Sequence, residues 1–133
     1  MKYIPKPQGL HLSLQHACLA TGAVHLQRCD ECEAYQHPPR WRCASCRSDR
    51  IGFVAVSGAG TLHSAVTTHV TTDPGWQAEV PYVAAVVQLD EGPRLIGELR
   101  GVPHDEIELG RRVQVRIERR GEDFAYLVVE PAG

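Results

Sequence analysis

Cys29-x-x-Cys32 and Cys43-x-x-Cys46 set four thiols in two matched pairs with ten residues between them. Each pair can offer two sulfurs from one tight turn, and two such turns folding toward each other close a tetrahedral thiolate site around zinc. Four thiolates leave no coordination position for water or substrate, so the chemistry implied is a structural clasp and not a zinc catalyst. The residue after such a pair is often glycine, which relaxes the turn. Here Glu33 and Arg47 stand there, so ligation is expected while the knuckle geometry is left open. A redox role for a single Cys-x-x-Cys is disfavoured, because the second pair at ribbon spacing accounts for both. His37 is a conceivable competing ligand, but the four cysteines already fill a site. Cys18 has no partner at that spacing; it is expected to pack as a small hydrophobe, with a reactive thiol the lesser alternative.

Little else in the chain has the spacing of catalytic chemistry. His63 and His69 stand six residues apart and share a face if their strand is regular, yet no matched acid, base or nucleophile accompanies them. No nucleophile elbow, phosphate-binding loop or dinucleotide fingerprint occurs, so catalysis by the chain itself is not expected. Arg28, Arg40, Arg42, Arg47 and Arg50 cluster around the cysteines. The favoured reading is local compensation of thiolate charge, and the sharper one is a phosphate or carboxylate contact.

At 133 residues, 43% hydrophobic and 23% charged, the chain has the composition of a soluble globular protein. Its formal charge of −2 and 6% aromatic content disfavour nucleic acid, which wants basic grooves and stacking rings. The first seven residues lack the apolar run of a secretory leader, and no stretch reaches membrane-spanning length. Together with reduced cysteines this leads to the expectation of a cytoplasmic protein with no membrane insertion.

The elements that must hold the cysteines follow from periodicity and punctuation. An extended lead-in precedes a helix from Leu10 to about Ala20, in which Leu10, Leu14, Ala17 and Cys18 form one stripe. Leu12 and Leu19 fall nearly opposite it and need a second surface, supplied either by the chain's own domains or by a partner protein. Gly22 ends the helix. Val24 and Leu26 alternate with His25 and Gln27 as a short strand into the first knuckle, and Pro38-Pro39 turns the chain toward the second. Such a ribbon is too short to hold itself without metal. Beyond Arg50 the pattern becomes that of strands: Ile51 to Ser57, then Thr61 to Thr71, Val80 to Leu89, Arg94 to Leu99, Val113 onward, and Phe124 to Val129. Gly58-Ala59-Gly60 marks a bend or bulge, and a helical turn falls near 103–107. Five barrel strands with that interruption after the third match the order of an OB-fold. The expected division is a lead-in and helix over 1–22, a ribbon over 23–50 and a barrel over 51–133.

The motifs also resemble a known family. Leu26-Gln27-Arg28-Cys29-x-x-Cys32, His37-Pro38-Pro39-Arg40, Cys43-x-x-Cys46 and Ser57-Gly58-x-Gly60-Thr61-Leu62-His63-Ser64 are similar to those of the acyl-CoA-associated zinc-ribbon/OB-fold proteins. Pro81-Tyr82-Val83-Ala84, Leu89-Asp90-Glu91-Gly92 and Leu109-Gly110-x-x-Val113-x-Val115 fit the same family, so the likeness spans about residues 10–130. It implies a mainly β chain: an N-terminal helix, a rubredoxin-like zinc ribbon and a five-stranded OB-fold barrel. It also implies one structural zinc on Cys29, Cys32, Cys43 and Cys46, and a non-catalytic accessory subunit. The implied partner is a thiolase-like enzyme (an acyltransferase, a lipid-transfer-type thiolase or an aldolase), met by the N-terminal helix and the ribbon, with acyl-CoA as a candidate ligand of the barrel. On the helix, the off-stripe Leu12 and Leu19 are the candidate contact residues. A stand-alone acyl-CoA-binding module is the first alternative, and a single-strand nucleic-acid binder the second.

Overall fold

The computed structural model describes residues 3–132; Met1 and Lys2 of the expected lead-in, and Gly133, lie outside the described residues. The helix α1 runs over Leu10–Thr21 and buries Leu14 and Cys18, one turn apart, against Ala125. Gly22 closes it in a left-handed conformation (φ 71°), its N–H donating to the Cys18 carbonyl at 2.8 Å. Two polar contacts tie the helix down beyond this packing. The Ala125 N–H donates to Gln15 Oε1 at 2.6 Å, and His16 Nε2 meets Asp123 Oδ1 at 2.8 Å.

The next segment is a three-stranded antiparallel sheet. Its central strand β1 (His25–Cys29) lies between β2 (Tyr35–Gln36) and β3 (Ile51–Ala55). One expectation changes here. Residues 51–55 follow the second knuckle and read as the start of the barrel segment, but they pair with β1 from His25↔Ala55 to Cys29↔Ile51. An alternating pattern announces a strand without naming the edge it joins, and the chain leaving the second knuckle runs straight back along β1. Although β1 alternates apolar and polar residues, His25 and Gln27 are buried along with Val24 and Leu26. A central strand covered on both faces has no wet side for them.

The barrel comprises β4 (Ala59–Thr68), β5 (Tyr82–Leu89), β6 (Arg94–Leu99), β7 (Arg112–Arg120) and β8 (Phe124–Pro131). It closes in the order β4-β5-β6-β8-β7, with a short 3-10 turn at His104–Glu106 between β6 and β7. This is the expected mainly β, five-stranded OB-fold. Leu62, Val87, Leu89, Val113 and Val129 fill its interior, and Val24 and Leu26 from the start of the ribbon belong to the same apolar cluster. Ribbon and barrel therefore share one core. No helix among the described residues is long and apolar enough to cross a membrane.

An ion-pair network covers the outside of β6, β7 and β8. Arg100 donates from Nη1 to Glu118 Oε2 at 2.7 Å and from Nε to Glu98. Arg120 donates to Glu118 at 3.1 Å and lies over the Tyr126 ring at 3.7 Å. The Arg100 bond is the main cause that holds the Glu118 carboxyl down at about 2; burial opposes it and Arg120 assists. A carboxyl depressed in the folded state stabilises above its unfolded value and loses that contribution as pH falls through the folded one. The stability gap between the native chain and Glu118→Gln, read as thermal midpoints, should therefore be full above pH 4.5 and close by about pH 2. Allowing for solvent screening, the gap is about 1–2 kcal/mol.

Candidate metal centre

The two knuckles are built alike from the main chain. The Cys29 N–H donates to the Ala34 carbonyl at 2.9 Å and the Cys43 N–H to the Ser48 carbonyl at 2.8 Å, each five residues on. The Glu33 N–H returns to the Cys29 carbonyl at 3.0 Å, and the Arg47 N–H to that of Cys43 at 2.9 Å. Such a turn requires a positive φ at its last residue. Glu33 and Arg47 adopt it, at 64° and 65°, although neither is glycine. The open question about knuckle geometry is thus answered: the turns form, with strain at these two positions.

These turns bring together the four cysteines picked out by spacing. Their sulfurs all lie within 4.8 Å of one another, with Cys29···Cys46 and Cys32···Cys43 each 3.5 Å apart. Zinc–sulfur bonds of about 2.3 Å in a tetrahedron need sulfurs about 3.8 Å apart, which these positions already approach. The donor set also calls for a cation. N–H groups of Cys46 and then Ser45 pull the Cys43 thiol down to about 6. At Cys46 the Ser48 main chain pulls down as well, but Cys29, burial, Cys32 and Cys43 outweigh it and hold that thiol at about 12. Four sulfurs this close do not all ionise without positive charge among them, so the residues fit a structural metal ion. Cys29 and Cys43 are buried while Cys32 and Cys46 face outward.

A second feature holds the site together and had no sequence signal. Gln27, buried on β1, accepts from the Arg40 N–H and from Gln36 Nε2, both at 2.8 Å, and donates to the Arg40 carbonyl at 2.8 Å. Gln36 in turn accepts from the Ala44 N–H at 2.8 Å and donates to the Arg42 carbonyl at 3.1 Å. This pair of amides pins the proline turn and the second knuckle to the sheet. Gln27→Leu keeps the volume but leaves those main-chain groups unpaired, a cost of about 2–3 kcal/mol. With zinc loaded into the four-cysteine site, the variant should release it to a chelator faster than the native chain, measured by a colorimetric zinc indicator.

The remaining candidates are placed less tightly. Leu12 and Leu19 are half-buried; Leu19 packs against the Leu14–Cys18–Ala125 cluster, as do Phe53 and Ile117. Cys18 is buried, and that burial pushes its thiol up against the opposing pull of the His25 main chain, as an inert packing cysteine requires. The expectation for His63 and His69 is corrected. A register shift between Leu62 and Ser64 breaks the alternation at His63, and β4 ends at Thr68, so His69 is not on the strand. His69 instead meets His104 edge-on at 5.3 Å. On the outer face of β7, Arg112 is paired with Asp90 at 2.6 Å and Arg116 with Glu130 at 2.7 Å.

Comparison with known proteins agrees with this architecture. A family model described as the C-terminal OB-fold domain of ChsH2 matches residues 53–118. The chain is 31% identical over 100 residues to a "DUF35 domain-containing scaffold protein" of Methanothermobacter thermautotrophicus, covering 72% of this chain and 74% of that protein. It is 39% identical over 88 residues to a "Probable enoyl-CoA hydratase alpha subunit" of Thermomonospora curvata, covering 66% of this chain. The chain spans about a quarter of the length of the hydratase alpha subunits it matches. Among solved structures, a chain of the "Ltp2-ChsH2(DUF35) aldolase" superposes with a TM-score of 0.80 at 30% identity, over 91% of this chain and 94% of that one. With a cysteine ribbon leading into an OB-fold barrel over nearly the whole chain, this protein belongs to the DUF35 family of ribbon and ChsH2-type OB-fold proteins.

Proposed function

We propose that the chain is a non-catalytic accessory subunit that docks onto a thiolase-like enzyme and supports acyl-CoA chemistry there. The partner class comprises an acyltransferase, a lipid-transfer-type thiolase or an aldolase. The observation that carries this reading is the likeness across both ribbon and barrel to a chain of the Ltp2-ChsH2(DUF35) aldolase. The hydratase names of other relatives support acyl-CoA as the substrate class in this reading. In this reading Cys29, Cys32, Cys43 and Cys46 hold one structural zinc, which supplies rigidity and no reactive position. Leu12 and Leu19 of α1 take part in docking, and the reduced thiolate site works in the cytoplasm. Co-expression with the thiolase-like enzymes of its host tests the idea. One of them should co-elute with the chain as a single complex on size exclusion. If the chain runs alone beside every one, the proposal is wrong.

An apolar groove favours the second reading, a stand-alone acyl-CoA-binding module. It occupies about 270 Å³ on the barrel exterior beside α1, between Tyr82, Ala84, Ile96, Phe124, Tyr126 and Leu127. If this reading holds, the isolated chain binds acyl-CoA more tightly as the acyl group lengthens. Equal affinity for free coenzyme A and long acyl-CoA removes it.

A further inference from the structure

The five arginines of the ribbon do not share one role. Arg28 and Arg50 face ribbon carboxylates, at 3.5 Å from Glu33 and 3.7 Å from Glu31. Arg42 reaches the Arg47 carbonyl with one nitrogen at 3.2 Å. Among the described residues, the guanidiniums of Arg40, Arg42 and Arg47 have no carboxylate partner, and no guanidinium is hydrogen-bonded to a cysteine sulfur. The segment from 34 to 48 holds these three cations and no acidic residue. Trp41 lies between Arg40 and Arg42 in the chain and has 75% of its surface exposed. The loop under it is rigid, because Gln27 and Gln36 hold the main chain of Arg40, Arg42 and Ala44.

An indole left bare on a rigid loop does no packing for the fold. Guanidiniums without carboxylates are suited to bidentate contact with phosphate, and an exposed indole to stacking on a base. An acidic protein surface would satisfy the cations but would set carboxylates against the indole. A single ligand that carries both a flat base and phosphates offers a partner to each kind of group the loop exposes.

We propose that this ribbon loop binds a phosphorylated purine nucleotide, with Trp41 stacked on the base and Arg40, Arg42 and Arg47 on the phosphates. Taking that nucleotide to be the adenosine 3′,5′-bisphosphate end of coenzyme A rests on the acyl-CoA reading above; the site itself does not. The test is calorimetric titration of the full chain with adenosine 3′,5′-bisphosphate, coenzyme A, ATP, pantetheine and a single-stranded oligonucleotide. The bisphosphate and coenzyme A should bind with similar affinity, and pantetheine, which lacks the nucleotide, should not bind. Trp41→Ala should weaken binding about tenfold, and Arg40→Gln with Arg47→Gln should weaken it further and flatten its salt dependence. All three positions are exposed, so zinc content and thermal midpoint should stay at native values in these variants. Silence with both the bisphosphate and coenzyme A overturns the proposal, as does unchanged affinity in Trp41→Ala. Tighter binding of the oligonucleotide than of the bisphosphate also overturns it and assigns the loop to nucleic acid. Equal affinity for ATP supports the nucleotide site and severs it from coenzyme A. If nucleotides fail while a partner complex forms, this inference falls and the docked-subunit reading stands; the reverse pair of results does the opposite.

Discussion

Replacing Cys43 with serine is expected to strip the metal from the ribbon and to weaken the barrel with it. On the proposed reading of one structural zinc, metal content should fall from one ion per chain to near zero. A structural zinc contributes about 10–16 kcal/mol of binding free energy to the fold it closes, far more than a knuckle of this size gains from packing. Metal loss frees the segment from Cys29 to Arg50, and with it the end of β1. Leu26 sits on that strand, wholly buried in the same cluster as Leu62, Val87 and Val113. Losing the packing of one such leucine costs about 2–5 kcal/mol. At about 3–5 °C per kcal/mol for a domain this size, the barrel's midpoint should drop by about 6–25 °C. The boundary expected near residue 50 leads to a different result, in which the barrel melts as before. Metal analysis beside scanning calorimetry separates the two, and an unaltered barrel transition would show that the shared core is not cooperative.

The second large effect belongs to Gly60, on β4 between β5 and β7. A Cβ there would stand 2.5 Å from the Gln88 carbonyl oxygen and 2.7 Å from Val87 Cγ1. The first of these is main chain in a paired strand and cannot step aside. Gly60→Ala should therefore cost about 3 kcal/mol or more, the upper range for overpacking, and Gly60→Val should prevent the barrel from closing. Gly52→Ala is the matched control, since nothing lies within 4 Å of its Cβ position. That variant should stay within about 0.5 kcal/mol of the native chain in chemical denaturation. Equal stability of Gly60→Ala and Gly52→Ala would contradict the close approach.

Much of this architecture was legible because it rests on local rules. Cysteine spacing marks the two knuckles, the Leu14–Cys18 stripe and Gly22 mark the helix, and alternation between glycine and proline breaks marks the barrel strands. What stayed hidden depends on partners distant in sequence. Ile51–Ala55 reads as a strand, but only the folded path places it against β1. Gln27 looks like the wet side of β1, because no period distinguishes a glutamine facing water from one bonded to a distant main chain. The bulge after Leu62 shifts His63 without altering residue types. For the candidate site, the ligand set was readable and its setting was not. Spacing names four sulfurs but is silent on which arginines are already paired and which are left over.

As the docked subunit proposed above, this chain acts through a partner and not by itself. Turnover of acyl-CoA should be measured for the chain alone, for the co-purified thiolase-like enzyme alone, and for the two combined at equal concentration. No turnover is expected from the chain alone, and the combination should run faster than the enzyme alone. Turnover by the isolated chain, or an enzyme rate indifferent to its presence, would overturn the docked-subunit role.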